Sequence, residues 1–265
     1  MESKGTSGKT SRTSRSVLTI LIALLVLVIG GATGYNIYRH PDMFRHKQDN
    51  SLNENDTIAL RDEILAKDKP KILVAYFSYS GTTRNTAERV VSLTGGTLFE
   101  IKTVKTYANV YTESNREIRK NERPELSGVV PDMEQYDILF VGFPVWWHAT
   151  PAPVNTFLES YDLAGKLIIP FCTSGGSEIE EALPTFLDSC KGLAVYGGKR
   201  VSSGEVDEWI SGLGIKPAGN DTKDNSVASI VPEDIQTEKI RIKGLDELSA
   251  KGFDETVLLE TLPVC

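Results

Sequence analysis

The sequence predicts a doubly wound α/β domain built on a five-stranded parallel sheet, preceded by one transmembrane helix. Three observations predict it. Short runs that are almost wholly apolar recur at residues 72–77 (ILVAYF), 137–143 (DILFVGF) and 166–172 (KLIIPFC). Such runs suit strands covered on both faces, as in a parallel sheet. Helical periodicity fills the gaps between them, and strands alternating with helices imply βαβ crossovers. Finally, residues 17–34 carry no charge and have a dense Leu/Ile/Val core from 17 to 29, enough to span a bilayer as one helix.

The 265 residues allow one sizeable domain plus extensions. A net charge of −7 argues against nucleic acid as a partner. Cys172, Cys190 and Cys265 show neither metal-ligand nor paired spacing and give no disulfide framework.

Taken in order, residues 1–16 are polar and basic (Lys4, Lys9, Arg12, Arg15), the composition of a disordered N-terminus. Residues 17–38 form the transmembrane segment, with Tyr35 and Tyr38 as interface aromatics. The absence of a clean small-x-small cleavage site favours an uncleaved signal anchor over a cleaved signal peptide. Four Lys/Arg precede the span, and Arg39, Arg45 and Lys47 follow it closely. The positive-inside rule then places the N-terminus in the cytoplasm and the main domain outside. Residues 39–70 are a polar juxtamembrane connector in which Asp56-Thr57 caps a short helix over 59–66.

The globular domain spans residues 71–215. Strand 72–77 leads into a helix over 83–93, with Ala87, Val90 and Val91 inward and Gly95-Gly96 ending it. A second strand covers 97–103, and a polar, helix-like segment 107–119. The strand at 137–143 is followed by a helix over 151–161, entered through prolines. The strand at 166–172 is followed by a helix over 177–187, with Ser177 as cap, Glu180 at capping-box spacing, and Pro184 kinking or splitting it. A fifth strand lies within 193–201 and a closing helix over 204–213. Residues 216–265 are a polar linker and an extension, with a strand or two in 229–245 and a short helix at 245–251.

In such a sheet a ligand sits beyond the carboxyl ends of the strands, at the switch point. Three loops of unusual composition leave those ends. The first offers Ser78, Ser80, Gly81, Thr82 and Thr83 where a strand ends and a helix begins. Unpaired amides and the positive end of the helix dipole meet there, which suits a phosphate. It contains no Lys or Arg and lacks the Gly-Lys-Ser/Thr ending of Mg-nucleotide loops, so the donors are neutral. The second is Pro144-Val145-Trp146-Trp147-His148. A Trp pair on a surface loop can stack on a planar ligand, or form a lid or an interface. The third is Thr173-Ser174-Gly175-Gly176, whose small residues let backbone amides approach a ligand edge or cap the next helix. Cys172 just before it is a buried, inert thiol or a neighbour of the ligand.

Ser-x-Ser-Gly-Thr-Thr after a first buried strand resembles the FMN-phosphate loop of the flavodoxin family. The likeness covers about residues 71–213. In detail it is similar to membrane-anchored or secreted flavodoxin-like proteins, whose third-strand loop carries Pro-x-Trp-Trp. The resemblance implies that Ser78, Ser80, Gly81, Thr82 and Thr83 bind the FMN phosphate. It implies that Pro144 to His148 line the flavin ring, with Trp146 or Trp147 stacking, and that Thr173 to Gly176 contact its pyrimidine side. Arg89 stands where many members carry an aliphatic residue. The third loop lacks the acidic residues and the Tyr of small electron carriers, and no Gly-bearing peptide-flip stretch is evident.

The function expected is therefore FMN-dependent electron transfer at a membrane. The alternatives are an NAD(P)H-dependent reductase of a quinone-like substrate and a flavin-free scaffold on the same fold. The partner is a redox protein or a small quinone or nicotinamide. Cytosolic flavin supply argues against the outside location that the charge distribution favours. His148 is the only histidine of the domain and no nucleophile elbow is present, so a Ser or Cys hydrolase is disfavoured.

Overall fold

The computed structural model describes residues 11–43, 49 and 51–216. Helix α1 (Ser11–Arg39) holds the apolar span, and none of the side chains from Val17 to Arg39 is buried in the protein. It is long and apolar enough to cross a membrane. It starts six residues before the apolar run, so residues 11–16 are helical rather than disordered. The rest of the expected N-terminal tail, and nearly all of the extension over 216–265 with its strands and helix, lie outside the described residues.

Helix α2 (Glu54–Leu65) begins earlier than the sequence suggests. Its cap is Asn53, whose side chain accepts from the Asp56 amide, rather than Asp56-Thr57. An Asn three positions upstream offers the same short acceptor, and burial of Ile64 against the sheet fixes the phase.

The domain follows as β1 (Ile72–Tyr76), α3 (Thr82–Thr94), β2 (Thr97–Glu100), β3 (Lys102–Thr103), α4 (Val110–Lys120) and β4 (Leu126–Ser127). Then come β5 (Ile138–Pro144), α5 (Ala152–Glu159), β6 (Leu167–Thr173), α6 (Ile179–Leu187), β7 (Ala194–Val195), β8 (Lys199–Arg200) and α7 (Val206–Gly212). The main sheet is parallel, in the order β2-β1-β5-β6-β7, with β8 continuing along β6. The expected fifth strand is thus two short pieces on either side of Gly197-Gly198. The expected strand over 97–103 also divides. Ile101 still donates to the Tyr76 carbonyl, but Lys102 and Thr103 leave to pair antiparallel with Ser127 and Leu126.

Alternation along β1 feeds two cores. Leu73, Ala75 and Phe77 pack with α5 and α6, whereas Ile72, Val74 and Tyr76 pack with α3, α7 and Ile64 of α2. Helices therefore cover both faces, as buried apolar strands require. Gly142 in β5 is needed for close approach: a Cβ there would lie 2.2 Å from Cζ of the Phe171 ring. Arg89, unusual on α3, is used at the surface, where its Nε donates to Asp207 of α7 at 2.8 Å. Helix α6 starts two residues after Ser177: Glu178 is the cap and its amide donates to Glu181. Pro184 lies inside this helix without breaking it.

Candidate functional site

The chain order places the reversal of strand order between β1 and β5, so the loops after β1, β5 and β6 share one edge of the sheet. The structure brings together what the sequence selected there, and it gives the three loops different supports.

After β1, Gly81 adopts φ +91° and caps α3 with no side-chain hydrogen bond to the helix amides. An added Cβ would meet nothing within 4 Å, so the glycine serves the backbone conformation rather than a tight contact. The loop ties itself: the Gly81 amide donates to Ser78 Oγ at 3.1 Å, and Ser80 and Thr82 hydroxyls lie 3.3 Å apart. The first amides of α3 point out of the helix with no side-chain cap, the donor set that an anion takes up. Thr83 is buried and its hydroxyl is engaged by Thr173 at 2.8 Å, so toward an anion it offers its amide. That same bond ties the first loop to the end of β6. Arg84, the nearest cation in sequence, turns away to Glu100 at 2.7 Å and to the Tyr76 hydroxyl. The loop remains a site of neutral donors.

After β5, Trp146 and Ala149 pair as a two-bond antiparallel bridge, with Trp146 N–H to Ala149 O at 3.1 Å and the reverse at 2.9 Å. The two residues between them both have positive φ, +52° for Trp147 and +59° for His148. This is the signature of a tight hairpin turn that normally uses Asn-Gly. Bulky residues in it store about 1–2 kcal/mol each. Long-range contacts hold them there. Trp147 Nε1 donates to Ser114 Oγ on α4 at 3.0 Å, and His148 Nδ1 pairs with Glu181 on α6. The hydrogen bond from His148 holds the Glu181 carboxyl below the usual range, and Ser177 adds to it. Trp146 turns the other way, with ring centroids 5.1 Å from Phe77, 5.6 Å from Tyr107 and 6.1 Å from Tyr79, all edge-on. The loop ends on Thr150, whose buried amide donates to Thr185 Oγ1 at 2.8 Å.

After β6, Ser174 Oγ accepts from the Gly176 and Ser177 amides at 3.1 and 2.7 Å. Val145 N–H donates to Thr173 O at 3.0 Å, joining the second and third loops. Cys172 is fully buried and burial pushes its thiol up to about 12, so it is inert.

Sequence reasoning missed the support for the Trp-Trp-His turn: Tyr38, His40, Ser114, Asn115, Tyr107 and Glu181. The one available signal is on α4. Its Ser114, Asn115, Glu117 and Ile118 share a buried face although three of the four are polar. A cavity of about 280 Å³ opens beside the first loop, between Tyr79, Lys102 and Tyr107. It shares only Ser78 with the residues chosen from sequence. The uncapped α3 terminus lies with the three loops, and that edge is the candidate site. Among the described residues no cluster of His, Cys, Asp and Glu suits a metal ion.

Comparison with known proteins bears on this arrangement. No curated protein matches the chain. Among solved structures, a candidate flavoprotein from Bacteroides eggerthii is 32% identical, over 55% of this chain and 99% of that one, with a TM-score of 0.51. A second, from Bacteroides uniformis, is 35% identical over 54% and 99%, with a TM-score of 0.49. A flavoprotein from Lactobacillus acidophilus, solved in complex with FMN, is 30% identical over 53% and 98%, with a TM-score of 0.46. Residues 71–213, more than half of the chain, match a model of the flavodoxin family, and the chain belongs to that family.

Proposed function

We propose that this flavodoxin-family chain binds FMN non-covalently and transfers electrons from a membrane tether. The observation that carries the reading is the uncapped N-terminus of α3, reached through Gly81 in the left-handed conformation and tied to β6 by Thr83 and Thr173. A phosphate monoester fits it, because amides and hydroxyls are the whole donor set and Arg84 is committed elsewhere. Ser78 fixes Gly81, Ser80 and Thr82 present hydroxyls, and the Thr82 and Thr83 amides face the anion. The second and third loops, joined through Val145 and Thr173, flank a planar group, and the Ser174 turn sets the backbone at its edge.

Bound FMN supplies the redox chemistry. The protein's part is to hold, shield and tune the ring through loops of fixed geometry. Helix α1 supports the tether by length and composition, and the sequence bias in Lys and Arg favours a domain outside the cytoplasm.

The test is an absorbance spectrum of the full chain in detergent after incubation with FMN and desalting. Flavin bands at close to one per chain are expected. Thr82→Ala should lower FMN affinity about tenfold, the worth of one hydrogen bond to a charged group. A folded, colourless chain refutes the reading and favours a scaffold.

A further inference from the structure

The end of the apolar helix does not dangle from the domain. It is fastened to the strained turn of the candidate site. The buried Asn115 side chain donates to the Tyr38 carbonyl at 2.8 Å. The Tyr38 ring meets Trp147 edge-on, centroids 5.2 Å apart, and His40 stacks on His148 at 4.2 Å and 24°. Pro41 and Asp42 that follow are buried. These contacts reach the two turn residues, Trp147 and His148, whose φ is positive. So what holds the turn in shape includes the juxtamembrane segment.

Depth follows from length. The twenty residues from Val17 to Asn36 span about 30 Å as helix, the thickness of the hydrocarbon core. Tyr38 then falls at headgroup level, where aromatic side chains concentrate. Trp147 lies against Tyr38, so the turn is held at the bilayer surface rather than somewhere within the reach of a loose linker.

From this juxtaposition, and resting on the FMN and tether reading above, we infer that the site's electron acceptor is a lipid-dissolved quinone met at the bilayer surface, with Tyr38 and His40 as positioning residues. A quinone with an apolar tail carries its polar head to the depth at which Trp147 and His148 sit. A soluble protein partner finds that side closed by the membrane. The step balances without a further reactant. Reduced FMN gives two electrons and two protons to the quinone, whose two carbonyls become hydroxyls, and oxidised FMN remains.

Two measurements on the full chain in liposomes test this. The first needs no flavin: Trp fluorescence in lipids brominated near the headgroup. Quenching is expected, with a clear fall in Trp147→Phe and in the double variant Tyr38→Ala with His40→Ala. Equal quenching in all three overturns the docking. The second follows reoxidation of dithionite-reduced FMN under anaerobic conditions by a long-tailed quinone in the bilayer and by a tail-less, water-soluble one. The double variant should slow the long-tailed quinone at least tenfold more than the tail-less one, whose rate reports any distortion of the turn itself. Equal slowing of both, or of neither, overturns the acceptor. A chain that holds no FMN refutes the cofactor reading and the acceptor with it, while the quenching result still judges the docking alone.

Discussion

The loops after β1 and β5 reach the same edge of the sheet and solve the problem of a tight turn in opposite ways. The first uses a glycine where φ is positive and closes its hydrogen bonds within residues 78–82. The second puts Trp147 and His148 at positive φ and imports partners from α4, α6 and the end of α1. The difference is between a conformation written locally and one imposed from outside. A locally written loop survives changes elsewhere. An imposed one reports on its neighbours, which suits a turn that couples a site to a tether.

The largest expected effect is at the imposed loop's far end. Thr185→Val removes the acceptor of the buried Thr150 amide and should cost about 1–3 kcal/mol by denaturant titration. The equivalent change in the first loop, Ser78→Ala, should cost distinctly less, because water reaches the half-buried Gly81 amide. Equal costs would erase the distinction between the loops.

Next is Gly81→Val. No atom obstructs the new side chain, so its expected cost of about 1–2 kcal/mol is purely conformational. FMN affinity should fall with it. His148→Gly is the mirror experiment. It relieves a left-handed residue and gives up the stack on His40 and a partly exposed pair with Glu181 worth at most about 1 kcal/mol. Stability should hold or rise slightly. A loss as large as that in Gly81→Val would mean that the turn is not strained.

The smallest effect is in acid. Glu181 has a folded pKa below its unfolded one, so its pair with His148 stabilises above the unfolded value, about 4.3. That contribution fades as pH falls through the folded value. A Tm profile from pH 7 to 3 should be slightly flatter at its acid end in Glu181→Gln than in the parent. Parallel profiles would show that the pair contributes nothing.

Much of the fold was legible because its signals are short-range. Apolar runs the length of a strand, the helical stripe Ala87-Val90-Val91 and the punctuation at Gly95 each follow from a few neighbouring residues. Boundaries were less so. Asn53 and Glu178 took the caps from residues one to three positions away, since any short polar side chain competes for the same amides. The strand over 97–103 divided because β4, well along the chain at Leu126–Ser127, offered Lys102 and Thr103 a second ladder.

By itself the sequence determined the alternation of strands and helices, the neutral phosphate-type loop at Ser78 to Thr83 and the apolar helix before the domain. Each depends on the chemistry of contiguous residues. Only the tertiary structure decided that Thr83 bonds Thr173, that Arg84 turns from the loop, and that Trp146 and Trp147 part company. It also decided that Tyr38 and His40 close on Trp147 and His148. Those pairings join residues far apart in the chain, and a partner's identity leaves no mark on local composition until folding brings it within a few ångströms.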